Sequence, residues 1–419
     1  MSGIRVSTLP NGLRVATDPM SGVETASVGV WVEAGSRYET ATASGVSHFL
    51  EHMVFKGTRN RDARAIAEEI EAVGGHLNAH TSREYTAFYA KVLKEDVPLA
   101  IDIIADILQD ATLDLEELGR ERTVILQEIM QSQDTPDDII FDRFQETAFP
   151  SQPLGRSVLG VRESIGAMSR EILAGYMRRH YGAPRMILAA AGRVEHETIM
   201  DLADRAFDRL PPPAVEDREP AVYAGGDFRE ERDLEQVHLV LGFPGVGYGD
   251  PDFYPLSVLS TLLGGGMSSR LFQEAREKRG LVYSIYSFPT SYSDTGLFGI
   301  YAGTGEEEVE ELVPLVCEQL RGVASDVADA EIGRARAQLK SGMLMALEST
   351  SSRCEQLARQ LMVFGRPIPT AESIAKIQAV DRSAVMRAAR RLLSGTPTLA
   401  TLGPIGRVAS HAEVTALLA

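Results

Sequence analysis

Residues 45–58 read GVSHFLEHMVFKGT, an otherwise apolar run that contains two histidines and a glutamate. His48 and His52 are four positions apart, so on a helix they lie on one face with Cβ atoms about 5–6 Å apart. Glu51 lies beside them. Two neutral imidazoles suit Zn²⁺, and a neighbouring carboxylate can take a proton from a metal-bound water. The stretch therefore predicts a helix that carries two metal ligands and a general base.

A catalytic zinc site usually has three protein ligands and one open position, so the chain must supply a third. Residues 113–133, LDLEELGRERTVILQEIMQSQ, have the pattern of a long amphipathic helix. Glu121 and Glu128 are interleaved with apolar residues there, and carboxylates in such surroundings require a cation. We predict Glu128 as the third ligand, and Glu121 as an acid that holds a ligand histidine in one tautomer.

The structural alternative is a buried histidine pair next to a solvated acidic stripe, with no metal. The order His-x-x-Glu-His argues against it, because this is the inverzincin zinc signature. We therefore expect Zn²⁺ as the cofactor.

The Pro-rich segment LPPPAVEDREP predicts a linker at 211–220 between domains at 1–210 and 221–419. In both halves strand-like alternation leads through a Gly-rich turn into a helical pattern, and strand and helix patterns then repeat in the same order. HLNAHTSREYTAFYAKVL and LVYSIYSFPTSYSDTGLFGIYAG are each interpreted as one strand. We predict an α+β fold of two similar, duplicated domains, each with helices on one face of a mostly antiparallel sheet.

The chain has 419 residues, a formal net charge of −17 and two cysteines, Cys317 and Cys354. At roughly 150 residues per domain, two or three domains are expected. The acidity makes nucleic acid an unexpected partner; it suits a basic substrate, or serves only solubility. Two cysteines exclude a disulfide framework and fit a reducing compartment. With no targeting pattern and no apolar run of about 18 residues, we expect a bacterial cytoplasmic protein without a membrane span.

HFLEHMVFKGT, LNAHTSRE and ERTVILQEI resemble the pitrilysin/insulysin family of zinc peptidases. The similarity is strongest to the short-chain branch, which includes the catalytic subunit of the mitochondrial processing peptidase and bacterial relatives. It covers essentially the whole chain, including PLGRSVLGVRESI and RMILAAAGRVEHE. The spacings of Glu121 and Glu128 from His52 match the family pattern. The resemblance implies a zinc peptidase with two similar α+β domains per chain.

The segment GGHLNAHTSREYTAF predicts an edge strand near the metal, because its residues alternate after a Gly-Gly break. An extended peptide can pair with such an edge by β-augmentation, and a strand that binds no ligand is the less favoured alternative. The resemblance places Asn78 and Ala79 against the substrate backbone. It also places Phe55 in the pocket for the residue after the scissile bond, whereas the sequence alone would make Phe55 a core residue.

Asp138 and Asp142 are four residues apart in QDTPDDIIFDRFQE, hence on one face if this segment is helical. Like charges at that spacing repel each other, which a solvated surface tolerates. The resemblance implies instead that these acids hold a basic residue ahead of the cleavage site. We therefore expect a preference for peptides that contain Arg or Lys.

In the second half, Gly264, Gly265 and Gly266 precede the segment MSSRLFQEAREKRGLVYSIYS. Glycines before a helix can bind phosphate, but the P-loop pattern is missing here. The resemblance implies a substrate-contacting loop, with Arg276 and Tyr283 as donors to the scissile carbonyl, where charge develops in the transition state. Without the resemblance, Arg276 would be interpreted only as one of several charged residues in the segment REKR.

These observations predict a zinc endopeptidase that hydrolyses short or unfolded peptides in an enclosed chamber. One chain has half the domains of the long single-chain family members, so we expect two chains to form a clamshell as a C2 homodimer. Each site would combine His48, His52 and Glu128 of one chain with Arg276 and Tyr283 of the other. The alternatives are a non-catalytic scaffold subunit of a processing-peptidase-like complex and a heterodimer with a paralogue.

Overall fold

The computed structural model of the protein describes residues 3–212 and 218–419. The chain forms two compact units, each built from several segments. Unit 1 comprises Met1–Met130, Arg156–Glu219 and Leu344–Ile368, and unit 2 comprises Gln131–Gly155, Pro220–Met343 and Pro369–Ala419. The domain limits at 210 and 221 stay a prediction, and residues 213–217 of the predicted linker lie outside the described residues.

Eleven strands occur in the described part of the chain, and they form a six-stranded sheet and a five-stranded sheet. The strands are β1 (Arg5–Thr8), β2 (Arg14–Pro19), β3 (Thr25–Val32), β4 (His76–Thr81), β5 (Thr86–Leu93), β6 (Met186–Gly192), β7 (Gly226–Glu231), β8 (Val237–Pro244), β9 (Val282–Ser291), β10 (Gly296–Thr304) and β11 (Thr398–Gly403).

The α-helices of the described residues number fifteen. They are α1 (Val46–Val54), α2 (Ala63–Ala72), α3 (Val97–Gln109), α4 (Leu115–Gln133), α5 (Pro136–Ala148), α6 (Arg162–Ala167), α7 (Arg170–His180), α8 (His196–Ala206), α9 (Phe253–Gly264), α10 (Val309–Ser325), α11 (Asp329–Ala346), α12 (Thr350–Phe364), α13 (Thr370–Ala379), α14 (Arg382–Leu393) and α15 (His411–Leu418). Side-chain caps fix several helix starts, as where Asp62 accepts a hydrogen bond from the Ala65 N–H at 2.7 Å before α2.

The two sheets have related topologies. In unit 1 the strand order is β1-β2-β6-β3-β5-β4, and all neighbours are antiparallel except β2 and β6. In unit 2 the order is β7-β11-β8-β10-β9, and all neighbours are antiparallel except β7 and β11. Two mostly antiparallel sheets with packed helices confirm the predicted α+β fold, and they leave β4 at one sheet edge.

Helices cover both faces of each sheet, so the expectation of helices on one face is wrong. In unit 1, α1, α3, α7 and α8 contribute to the main core, while α12 covers the opposite face, where Leu357 packs in a cluster with Trp31. In unit 2, α9, α10, α14 and α15 contribute to the main core, while α5 covers the opposite face through Ile140 and Phe144. The second face needs a helix because its own strand residues, such as Trp31 and Val240, are apolar.

Two segments that were each predicted as one strand are hairpins. β4 and β5 are joined by a turn in which the Ser82 N–H donates to the Tyr85 carbonyl at 2.8 Å. β9 and β10 are joined by a turn in which the Tyr292 N–H donates to the Thr295 carbonyl at 2.8 Å. Neither four-residue turn contains Gly or Pro, the strongest turn signals, and Ser82, Ser293 and Asp294 are weaker ones.

Within residues 3–212 and 218–419, none of the helices combines the length and the apolar character that crossing a membrane requires. The cytoplasmic location stays a prediction.

Candidate metal centre

Helix α1 is apolar on the side that faces the core of unit 1 and ionisable on the other. Its fully buried apolar side chains belong to Val46, Phe49, Leu50, Met53 and Val54. His48, Glu51 and His52 occupy the remaining face and are partly exposed. The burial of the apolar stripe therefore fixes the direction in which the three ionisable groups project.

A buried carboxylate fixes the beginning of α1. Gly45 has φ +87°, which favours glycine, and a Cβ there would lie 2.7 Å from the Leu159 carbonyl oxygen. The Glu39 carboxylate accepts hydrogen bonds from the Gly45 N–H at 2.7 Å and the Ser47 N–H at 2.9 Å. Glu39 is 4% exposed, and desolvation raises its pKa to about 7 despite these bonds. It satisfies N–H groups that the first turn of the helix leaves free.

The structure brings His48, His52 and Glu128 together, with one potential ligand atom from each within 4.8 Å of the others. Glu128 Oε2 lies 3.7 Å from His48 Nε2 and 3.8 Å from His52 Nε2. In a tetrahedral zinc site, ligand atoms are about 3.3 Å apart given the usual bond lengths. The two distances from Glu128 therefore exceed this spacing by only a few tenths of an ångström.

Two features of these residues fit a bound cation. Glu128 Oε2 is buried and has no hydrogen-bond donor among the described residues, a costly state for a carboxylate oxygen unless a cation lies next to it. Desolvation, followed by the charge of His52, lowers the pKa of His48 to about 4, so its imidazole is neutral near pH 7. Only the neutral imidazole binds metal.

Glu121 contacts the ring nitrogen of His52 that does not face Glu128. His52 Nδ1 lies 3.0 Å from Glu121 Oε2, and Glu121 is 5% exposed. With the imidazole neutral, Nδ1 donates to the carboxylate and Nε2 is left free to face Glu128. Lys56 Nζ lies 2.8 Å from Glu121 Oε1, so the buried carboxylate is paired with a cation. Glu121 and Glu128 reach this position because seven residues are about two turns of α4.

Glu51 lies beside the three potential ligands, and its carboxylate has a different partner. The Thr81 hydroxyl of β4 donates to Glu51 Oε2 at 2.5 Å. Desolvation raises the pKa of Glu51, and the hydrogen bonds from Thr81 partly offset this rise. A raised carboxyl pKa suits a general base that works near neutral pH. The sequence carries no signal for Thr81, whereas Lys56 lies within the quoted motif, four residues after His52.

Three predicted substrate residues lie on or next to elements of this centre. Asn78 and Ala79 lie on β4, and the Ala79 N–H donates to Asn78 Oδ1 at 2.8 Å. Phe55 caps the C-terminus of α1 and is partly buried, with its ring centroid 6.3 Å from that of Phe88. This packing agrees with the core reading of Phe55, and its substrate role stays a prediction.

In unit 2, the structure places Arg276 and Tyr283 next to each other. Arg276 lies in a π-helical turn at Phe272–Glu277, a type of irregularity that often occurs at functional sites. Its guanidinium carbon is 5.9 Å from the centroid of the Tyr283 ring, and Tyr283 is 75% exposed. An exposed cation and phenol are therefore available to a ligand.

The three glycines have different surroundings. Gly264 is buried at the end of α9, where a Cβ would lie 2.4 Å from the Ser287 backbone nitrogen. Close packing of the helix on β9 is therefore enough to require glycine there. Gly265 is exposed and Gly266 is partly exposed after the helix end.

The two predicted basic-residue contacts are on α5. Asp138 is exposed near the start of the helix and accepts a hydrogen bond from the Ser132 hydroxyl at 2.7 Å. Asp142 lies one turn later and is partly buried. Both residues are helical, as their predicted common face requires.

Fold and site together define a two-unit α+β protein with an inverted His-x-x-Glu-His metal motif. The family description "Insulinase (Peptidase family M16)" matches residues 14–162, and "Peptidase M16 inactive domain" matches residues 167–339. The chain is 42% identical to a probable mitochondrial-processing peptidase subunit beta of Arabidopsis thaliana, over 96% of this chain and 78% of that protein. It is 39% identical to an uncharacterised zinc protease of Streptomyces coelicolor, over 96% and 90%. The chain belongs to peptidase family M16.

Solved structures show the same fold. A protease from Helicobacter pylori superposes with a TM-score of 0.89 at 24% identity, covering 96% of this chain and all of that one. A peptidase M16 inactive domain from Pseudomonas fluorescens superposes with a TM-score of 0.88 at 21% identity, covering 96% and 98%. Family membership supports a peptidase function and implies zinc as the metal.

Proposed function

We propose that the chain is a zinc metalloendopeptidase that hydrolyses short or unfolded peptides. The observation that carries this proposal is the convergence of His48, His52 and Glu128, with a buried unpartnered oxygen on Glu128 and the Glu51 carboxylate beside them. A zinc ion held by these three residues would supply Lewis acidity towards the scissile carbonyl and would lower the pKa of the attacking water.

The protein's own side chains then account for proton transfer and orientation. Glu51 removes a proton from the attacking water and delivers it to the leaving amine, so that one carboxyl group acts as base and then as acid. Glu121 keeps the proton of His52 on Nδ1. Lys56 balances the charge of the buried Glu121 side chain.

The edge of β4 is the proposed docking line for the peptide backbone. An extended peptide can add to this edge through main-chain hydrogen bonds, which accommodate many sequences. Asn78 and Ala79 are the proposed contacts, and an incoming carbonyl would replace the Asn78 side chain as acceptor of the Ala79 N–H. Phe55 is the proposed wall of the pocket for the residue after the scissile bond.

Unit 2 supplies the other proposed substrate contacts. Arg276 and Tyr283 would donate hydrogen bonds to the scissile carbonyl oxygen as its negative charge develops. The loop of Gly264, Gly265 and Gly266 would contact the peptide in the enclosed chamber.

Asp138 and Asp142 would hold an Arg or Lys side chain ahead of the cleavage site. Their common position on α5 and the net charge of −17 support a basic preference. The two carboxylates would attract a cationic side chain by charge and by charge-assisted hydrogen bonds.

We further propose a C2 homodimer in which one chain supplies the metal ligands and the other supplies Arg276 and Tyr283. The Arabidopsis relative, and a mouse relative 39% identical over 98% of this chain and 86% of its own length, are both named subunit beta. A heterodimer with a different chain is therefore the alternative assembly.

A digest of a mixed peptide library by the purified chain tests the proposed function. We expect cleavage that stops when a chelator removes the metal and returns when zinc is added. Cleaved peptides should be enriched in Arg or Lys ahead of the cleavage site. Absence of cleavage by zinc-loaded protein would contradict the peptidase assignment, while cleavage without basic enrichment would contradict only the role of Asp138 and Asp142.

A non-catalytic scaffold subunit is the second candidate, because the description that matches residues 167–339 is that of an inactive domain. Zinc content discriminates between the two candidates. A scaffold is expected to hold less than about half a zinc per chain even after zinc is supplied, whereas the peptidase is expected to hold about one zinc per chain.

A further inference from the structure

One hydrogen bond connects the edge strand of unit 1 to the proposed base. Thr81 is the last residue of β4, and its hydroxyl donates to Glu51 Oε2 at 2.5 Å across 30 residues of sequence. Within the part of the chain that the structure describes, the side-chain hydrogen bond to Glu51 comes from Thr81. The backbone N–H of Thr81 contributes a second hydrogen bond to the same carboxylate.

Thr81 is itself held firmly. It pairs with Thr86 in the β4–β5 register, directly before the tight turn that joins the two strands. The Thr86 hydroxyl donates to the Ala34 carbonyl at 2.8 Å, and Thr86 is fully buried. A donor at the closed end of a hairpin has little freedom, so the acceptor that it binds is fixed as well.

Glu51, by contrast, lies on the side of α1 that does not pack against the hydrophobic core. A glutamate side chain has several rotatable bonds, and fixing it costs conformational entropy. A strong hydrogen bond to a rigid partner offsets that cost before any substrate binds. Proton transfer requires the carboxylate to lie within hydrogen-bond distance of the proton that it removes.

We propose that Thr81 is a positioning residue that fixes the Glu51 carboxylate for proton transfer. The proposal rests on the proposed role of Glu51 as the base. Because Thr81 lies on β4, two residues after Ala79, it also links the docking strand to the base.

The substitution Thr81→Val isolates the hydroxyl, because valine has the same shape and the same β-branched preference for strands. Thr81→Ser is the matched control, since it keeps the hydroxyl and loses only a methyl group. If Thr81 only stabilised the strand β4, valine would be tolerated as well as serine, and the two variants would behave alike.

Crystal structures of the metal-free wild-type, Thr81→Val and Thr81→Ser proteins show the position of the Glu51 carboxylate directly. This measurement does not depend on catalytic activity. We expect the Glu51 carboxylate to leave its position in the Val variant and to keep it in the Ser variant. With the peptide that the wild type cleaves best, kcat of the Val variant should fall about 10-fold or more with KM within about 2-fold, and the Ser variant should recover most of it.

An unmoved Glu51 carboxylate in the Val variant would overturn the proposal, and so would an unchanged kcat despite a displaced carboxylate. A rise in KM with kcat unchanged would also overturn it, because that pattern indicates loss of strand docking rather than of positioning. If Glu51 moves but zinc-loaded wild type cleaves no peptide, the positioning role stands and the peptidase function fails. The two claims are therefore tested separately.

Discussion

Two glutamates of one site are placed in different surroundings, and these determine what each can do. Glu128 Oε2 is buried and has no hydrogen-bond donor within residues 3–212 and 218–419, so it needs a cation. Glu51 Oε2 accepts a hydrogen bond from Thr81, and the pKa of Glu51 is raised chiefly by burial. The first arrangement suits a ligand, and the second suits a group that takes up and releases a proton.

Replacing Glu51 by Gln is expected to abolish turnover while zinc stays bound. The amide keeps the shape of the side chain but cannot accept the proton, so kcat should fall by about 10²-fold or more. Metal analysis of the purified variant should still find the zinc content of the wild type. Peptide cleavage at the wild-type rate would contradict the assigned role.

Glu128→Gln is the matched control, because it removes a charge from a proposed ligand rather than from the base. It should lower both zinc content and turnover, since a neutral amide is a poorer zinc ligand than a carboxylate. Similar zinc contents in the Glu51 and Glu128 variants would mean that Glu128 is not a ligand.

Glu121→Gln is expected to weaken zinc binding without removing a direct ligand. The substitution loses the charged acceptor that holds His52 Nδ1 at 3.0 Å, and such changes typically cost about 10–100-fold in metal affinity. Competition with a chelator of known zinc affinity measures the effect. Glu117→Gln is the control on the same helix, because Glu117 pairs with Arg120 at the surface and should leave affinity unchanged.

At the scale of single elements, α1 depends on Glu39 for its first turn. The folded-state pKa of Glu39 is about 7 against an ordinary value of 4.5, because the carboxyl group is desolvated. Folding therefore favours the protonated form. The associated stability is fully present below pH 4.5 and is lost as the pH rises through about 7.

We expect the free energy of unfolding of wild type, relative to that of Glu39→Gln, to fall between about pH 5 and pH 8. A shift from 4.5 to about 7 corresponds to a change on the order of 3 kcal/mol over this range, because one pKa unit is about 1.4 kcal/mol. Denaturant midpoints at several pH values measure it. Parallel pH profiles for the two proteins would contradict the raised pKa.

Sequence patterns predict contacts within elements better than contacts between them. The spacing of His48 and His52 fixes their common face, because helix geometry relates residues four apart. Such rules do not predict the hydrogen bond between Thr81 and Glu51, since it depends on how β4 and α1 pack together. The turn at residues 82–85 is hard to predict because Ser-Arg-Glu-Tyr lacks Gly and Pro, and Ser82 alone is a weak turn signal.

The sequence also does not predict which sheet α5 and α12 cover. An amphipathic pattern indicates that a helix has a buried side, but it does not identify the sheet that the side covers. α5 precedes the linker and belongs to unit 2, whereas α12 follows it and belongs to unit 1. Neither contiguous half of the chain therefore contains all of one unit.

At the scale of the whole molecule, the proposed site is incomplete within unit 1. The potential metal ligands and Glu51 belong to unit 1, and Arg276 and Tyr283 belong to unit 2. If a C2 dimer completes each site, a chain that lacks its base can still contribute Arg276 to its partner's site. Dimers of two differently inactivated chains would then hold one intact site and one doubly defective site.

Glu51→Gln and Arg276→Ala chains, co-expressed with different affinity tags and purified through both tags, test this arrangement. Each variant alone should be nearly inactive, because loss of a transition-state donor costs about 10²–10³-fold. The doubly tagged hybrid should regain about half of the wild-type activity, since one of its two sites is intact. A hybrid as inactive as its parents would show that the ligands and Arg276 of one site come from the same chain, because no hybrid chain carries both groups intact.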